Sequence, residues 1–293
     1  MKGRKLLGLA LGGGGLLGIS HIGVLEVLEE NGIRPGIVTG TSAGSLVAAF
    51  YAAGIGPARM REMALKLRRE DLFACNFTPG TFLLLLIQNL FDLVRFFQLL
   101  PRGLLSGAKI ARYVHGAAGR RNLGQILLPL GLVAADLLTG NRVVFTNRPP
   151  GKPVPGSVFL KDAPLGVAVR ASTAIPGVFD PVPYRGLLLA DGGLVEMVPA
   201  PLARLLGAEV VAAVSLGSRE PAPEPESIVQ VILWGINIMA RQGAKRDLTH
   251  ADLVINPPAA SAGLGDFEQI PALLESGRTA ALQALPSLIE LLR

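Results

Sequence analysis

Apolar residues along this chain come in two kinds of run, short continuous ones and longer ones at helical spacing, and the two kinds alternate. "KLLGLAL" is a short apolar run that reads as a buried strand. "GISHIGVLEVLEENG" sets Ile19, Ile22, Leu25 and Val27/Leu28 at helical spacing before a stop at Gly32. "GIVTG" then predicts a second strand, and "SLVAAFYAAG" a second helix closed by Gly54. A strand, a crossover helix and a second strand imply neighbouring parallel strands joined right-handedly. Further on, "LPLGLVAADLLTGNRVVFTN" predicts two strands about the turn "TGN", followed by a loop at "RPPGKPVPGS". A helix stopped before Pro176, strands at "RGLLLADGG" and "AEVVAAVSLG", a helix from about Ile228 to Thr249, a strand at "ADLVINP" and a helix from about Pro271 complete the pattern. The expected fold class is α/β, a three-layer α/β/α sandwich on a mostly parallel central sheet. No internal repeat or long linker divides residues 1–293, so one domain is expected.

One apolar run does not fit this alternation. "TFLLLLIQNLFDLVRFFQLL", residues 81–100, is bounded by Pro79-Gly80 and Pro101, and is as long as a membrane span. Gln88, Asn89, Asp92, Arg95 and Gln98 interrupt it with a narrow polar stripe, which fits a helix in the core or a lid touching lipid better than a span. Charge sharpens the picture. The chain carries a net +6, and residues 56–121 hold eleven Lys/Arg against four acids, so the remainder is near neutral. The segment 56–121 is therefore expected to be a basic, helical, lid-like insertion that meets an anionic membrane surface. Its arginines are not interleaved with stacking aromatics, which argues against nucleic acid.

The single cysteine, Cys75, forms no internal disulfide, and no Cys/His spacing suits zinc. The default location is the cytoplasm, with peripheral contact at the inner membrane face. "MKGRKLLGLALGGGG" imitates a secretory signal, but its apolar part is short, contains Gly8 and ends in glycines. A buried first strand is the better reading.

Two small-residue stretches carry candidate chemistry. Gly40-Thr41-Ser42-Ala43-Gly44 fits G-x-S-x-G, a turn that holds a nucleophilic serine between a strand and the positive end of a helix. The alternative is that Thr41 or Ser42 only caps that helix. "LGGGGLLG", residues 11–18, stands at the equivalent place after the preceding strand. Gly13-x-Gly15-x-x-Gly18 matches a dinucleotide fingerprint, but the acid expected near the end of the second strand is missing. Consecutive glycines also let N–H groups converge on a developing oxyanion.

A serine hydroxyl needs a proton acceptor. Ser42, Asp191 and His250 follow the chain order of an α/β-hydrolase triad, which keeps a carboxylesterase or acyltransferase using His250 as an alternative. Asp191 is the stronger candidate by itself. It ends an apolar strand and opens Asp191-Gly192-Gly193, although a plain turn would look the same.

With these pieces the sequence resembles the patatin-like phospholipases. "LALGGGGLLGISHIGVLEVLEENGI", "GTSAGSLVAAFYAAG", "AADLLTGNRVVF", "RASTAIPGVFDPV" and "ADGGLVEMVP" occur in that family's order and spacing. The resemblance implies lipid acyl hydrolysis by a Ser42–Asp191 dyad without histidine, with lipid as substrate. It also implies an oxyanion hole at Gly13, Gly14 and Gly15, and neither metal nor cofactor. Leu17 departs from the family's usual Arg or Lys before the last glycine, which puts rate and substrate preference in question and allows a non-catalytic lipid-binding homologue.

Overall fold

The computed structural model describes residues 5–74, 102–217, 224–258, 263 and 265–293. The apolar run 81–100 lies outside the described residues, as do residues 75–101 of the expected lid-like segment 56–121. The strands are β1 (Leu7–Leu11), β2 (Ile37–Thr41), β3 (Gly103–Leu105), β4 (Leu130–Asp136), β5 (Arg142–Thr146), β6 (Ser157–Leu160), β7 (Gly177–Phe179), β8 (Val182–Tyr184), β9 (Leu187–Asp191), β10 (Val210–Val214) and β11 (Leu253–Ile255). The helices are α1 (Ser20–Glu30), α2 (Ala43–Ala52), α3 (Pro57–Lys66), α4 (Arg69–Leu72), α5 (Ala108–Ala118), α6 (Leu165–Ser172), α7 (Ala200–Leu205), α8 (Ile228–Asp247) and α9 (Ile270–Leu291).

The strands build a mixed, mostly parallel sheet in the order β11-β10-β1-β2-β4-β5-β6, with β9 on β4 and β8 on β9. β1 and β2 are parallel neighbours, as the crossover pattern predicts, while β3 and β7 pair apart in a small sheet of two. The central strands are buried on both faces, and their alternation feeds two cores. Leu7, Leu9 and Leu11 of β1 and Leu130 and Leu132 of β4 point toward α1, α2, α5, α6 and α9. Ala10, Val133, Val211 and Ala213 point the other way, toward Leu202 and Ala203 of α7. Helices therefore cover both faces of the sheet, giving an α/β/α architecture.

The strand that deserves most notice in positioning chemistry is β9. It runs antiparallel to β4, pairing Ala134 with Asp191, Ala135 with Ala190 and Asp136 with Leu189. β2 pairs with the first part of the same strand, Thr41 standing opposite Val133. β2 and β9 thus approach head-on, and their C-terminal ends meet at two consecutive residues of β4.

Candidate active site

The β1–β2 neighbourhood brings the glycine loop and the serine turn to one edge of the sheet, with Leu11 beside Gly40. Ser42 has φ 52° and ψ −124°, a conformation that costs a non-glycine residue roughly 1–3 kcal/mol. The surroundings impose it. A Cβ at Gly40 would stand 2.4 Å from the Gly44 carbonyl oxygen, and one at Gly44 would stand 2.1 Å from that of Leu11. The Ser42 N–H donates to Ser172 Oγ at 3.0 Å, and Ser45 Oγ donates to the Ser42 carbonyl at 2.6 Å. Ser42 stands at the N-terminus of α2, but its hydroxyl does not cap the helix. The Thr41 hydroxyl is turned away as well, donating to the Glu196 carbonyl at 2.9 Å. Capping therefore explains neither residue.

Gly13 touches this turn directly, since a Cβ there would lie 3.2 Å from Ser42 Cβ and 2.6 Å from Met197 Sδ. Its N–H donates to the Met197 carbonyl at 3.0 Å, and the Gly12 N–H donates to Val214 at 3.0 Å. The donor of the first of the three loop glycines, Gly13, is thus already satisfied inside the protein. Among the described residues no backbone acceptor takes the N–H of Gly14 or Gly15. Behind the loop His21 is fully buried, with Nε2 2.8 Å from the Gly12 carbonyl oxygen. Burial pushes its pKa down to about 4 despite that bond, so the ring is neutral at pH 7. A carbonyl only accepts, so Nε2 carries the proton and the unpartnered Nδ1 carries a lone pair.

Asp191 arrives on β9 beside Ser42, and each is only 6% exposed. Its Oδ1 accepts the Gly193 N–H at 2.8 Å, closing the Asp-Gly-Gly turn. Gly192 is pressed against β4 and β2, since a Cβ there would stand 2.3 Å from the Val133 carbonyl oxygen and 3.1 Å from Thr41 Cγ2. Asp191 Oδ2 is buried with no hydrogen-bond partner. Burial raises the carboxyl pKa to about 6, while the Ser42 side chain and the Gly193 N–H favour the charged form. The hydroxyl therefore acts on the carboxyl without closing a hydrogen bond of ordinary geometry, a looseness common in unliganded sites.

The segment after the turn is stitched down. Thr39 Oγ1 donates to the Pro199 carbonyl at 2.7 Å, and the Val198 N–H donates to Asp247 Oδ2 at 3.0 Å. The buried Glu196 carboxylate pairs with Arg142 and accepts the Leu202 N–H at 3.1 Å. Sequence reasoning missed Ser172, Met197, Glu196 and the role of His21. Ser172 lies within "RASTAIPGVF", whose small residues were the available signal. Leu17 is half-buried against the core.

His250 is not brought to the site. It lies exposed in the short turn Leu248–His250 just before β11. β11 runs parallel to β10, β10 to β1 and β1 to β2. His250 therefore stands at the N-terminal edge of the sheet while Ser42 stands at the C-terminal edge, and the triad reading fails on topology. Among the described residues no group of three or more His, Cys, Asp or Glu could hold a metal ion.

Comparison with known proteins decides the family. The sequence model described as patatin-like phospholipase matches residues 9–204, which include Ser42, Asp191 and both glycine turns. The chain belongs to the patatin-like phospholipase family. This patatin-like chain is 34% identical over 235 residues to an NTE family protein of Mycobacterium tuberculosis, covering 80% of this chain and 55% of that one. It is 32% identical over 217 residues to the patatin-like phospholipase domain-containing protein 6 of mouse, covering 73% of this chain and 14% of that one. The chain spans about half the length of the mycobacterial relatives it matches or less. VipD from Legionella pneumophila is 17% identical, with a TM-score of 0.49 over 97% of this chain and 67% of that one.

Proposed function

We propose that this patatin-like chain is a serine lipid acyl hydrolase of the phospholipase or lysophospholipase type. The observation that carries the reading is the head-on meeting of β2 and β9 along β4, which brings a strained serine beside a buried carboxylate with an unpartnered oxygen. Ser42 Oγ attacks the acyl carbonyl carbon as its proton passes to Asp191. The carbonyl oxygen becomes an oxyanion, for which Gly14 and Gly15 N–H are the available loop donors. Collapse of the tetrahedral intermediate breaks the ester C–O bond, and the alcohol leaves with the proton from Asp191. Asp191 then takes a proton from water, the hydroxide attacks the acyl-serine ester, and the fatty acid departs as Ser42 recovers its proton. No step calls for a metal or a cofactor.

An aspartate is a weak base in water, but a pKa near 6 keeps it mostly ionised at pH 7 while improving its basicity. The test is hydrolysis of a phospholipid and of a soluble short-chain ester by the wild type, Ser42→Ala and Asp191→Asn, with labelling by a serine-directed fluorophosphonate. The wild type is expected to label and hydrolyse; Ser42→Ala should do neither. An unlabelled, inactive but folded wild type would make the chain a lipid-binding relative instead, and full activity in Asp191→Asn would remove the dyad.

A further inference from the structure

Helix α8 carries an apolar face that the described fold does not cover. Ile228, Val231, Ile232, Ile238 and Met239 are each between 51% and 69% exposed. Their three- and four-residue spacing lines them along one stripe, with Gly235 between its two halves. Exposed Lys245 and Arg246 continue the same side of the helix into its last turn. The opposite side is fixed to the body of the protein, where Ala240 is buried and Asp247 accepts the Val198 N–H. The helix also packs against the turn Gly192–Leu194 that follows Asp191, and Leu194 is itself 38% exposed.

Large side chains exposed in such a row normally mark a surface that meets another phase or molecule. Among the described residues no helix is long and apolar enough to cross a membrane, α8 included. An exposed apolar stripe flanked by cations is instead the composition of a helix that lies in the plane of a lipid surface. The cationic end and the chain's net +6 complement anionic head groups. We propose that α8 docks the protein on an anionic lipid membrane, its stripe set among the acyl chains and Lys245 and Arg246 at the head groups. Docking on this helix would press the Asp191 turn toward the surface from which a lipid ester must be drawn. That last advantage rests on the proposed hydrolase activity; the surface itself does not.

The two are separable by experiment. Sedimentation of the full chain with vesicles of phosphatidylcholine and phosphatidylglycerol should show binding that weakens as salt rises. Ile232→Gln with Met239→Gln should weaken it at least about tenfold, while hydrolysis of a soluble short-chain ester and the melting temperature stay at wild-type levels. Lys245→Gln with Arg246→Gln should weaken binding about tenfold on the anionic vesicles and hardly at all on phosphatidylcholine alone. Wild-type binding in both double variants, or no vesicle binding by the wild type, overturns the proposal. So does a solution dimer that Ile232→Gln/Met239→Gln dissociates while vesicle binding is unchanged, which would make the face a contact between copies. A wild type that binds vesicles through these residues but leaves the soluble ester intact would sink the hydrolase and leave the docking helix standing.

Discussion

The glycine loop and the aspartate turn flank Ser42, and each brings one buried titratable side chain with it, His21 behind the loop and Asp191 on the turn. The same force acts on both with opposite results. Burial pushes the His21 pKa down to about 4 and the Asp191 pKa up to about 6, so both lean toward neutrality. For His21 the neutral form is the working form, because its Nε2–H holds the Gly12 carbonyl. For Asp191 the proposed mechanism needs the ionised form, which the fold holds at a cost on the order of 3 kcal/mol. Desolvation fixes geometry on one side of the serine and sets base strength on the other.

Their linkage to stability is opposed too. Asp191 has a folded pKa above the ordinary carboxylate value of 3.8, so its stabilising contribution is complete below about pH 4 and is lost as pH rises through 6. His21 has a folded pKa below 6.5, so its contribution is complete above that value and is lost as pH falls toward 4. Between about pH 4 and 6 the two slopes cancel.

The largest break in this comparison is Asp191→Asn. It should lower kcat by about 10²–10⁴-fold in steady-state ester hydrolysis, the range for losing a general base. The wild-type kcat/KM should fall tenfold per pH unit below about pH 6, as Asp191 takes up its proton. Next comes stability. With the carboxylate gone, the His21 slope stands alone, and Asp191→Asn should gain about 3 kcal/mol between pH 4 and 6.5 in denaturant titrations where the wild type changes little. Equal pH dependence in the two proteins would mean the buried titrations do not oppose each other. A smaller effect is expected from His21→Ala, which strands the Gly12 carbonyl at a cost of about 1–3 kcal/mol. Its kcat should drop about tenfold with KM little changed, if the loop donors shift by a fraction of an ångström. The smallest effect belongs to the serine. Ser42→Gly should unfold about 1 kcal/mol harder than Ser42→Ala in calorimetry, because only glycine tolerates φ 52° without strain.

The sequence made legible what depends on local periodicity and turn chemistry. β1, α1, β2 and α2 appear close to where their patterns put them, as does the hairpin of β4 and β5. The short strands β3, β7 and β8 and the helix α7 did not stand out, because three to six residues offer too little periodicity to separate from loop. Ser42 and Asp191 could be singled out because Gly-rich turns mark strand ends. The direction of β9 could not be read, since an apolar run pairs equally well either way round. Ser172 and Met197 were hidden for the same reason as most tertiary contacts. Ser172 meets Ser42 across 130 residues, and no local pattern encodes that crossing. α8 shows the converse limit, as its apolar pattern predicts a helix correctly but does not say that its face is left outside.

One further consequence follows from β4 serving as the shared ruler for β2 and β9. The exposed loop at residues 148–156 separates a piece carrying Ser42 and β4 from a piece carrying Asp191. A chain cut there yields two fragments, each holding one member of the proposed dyad. Rejoining β9 to β4, together with β10 to β1 and β6 to β5, would restore the register that sets Asp191 opposite Ala134. If the proposed hydrolysis holds, the chain can be recast as a complementation pair whose ester hydrolysis reports the association of whatever is fused to its two parts.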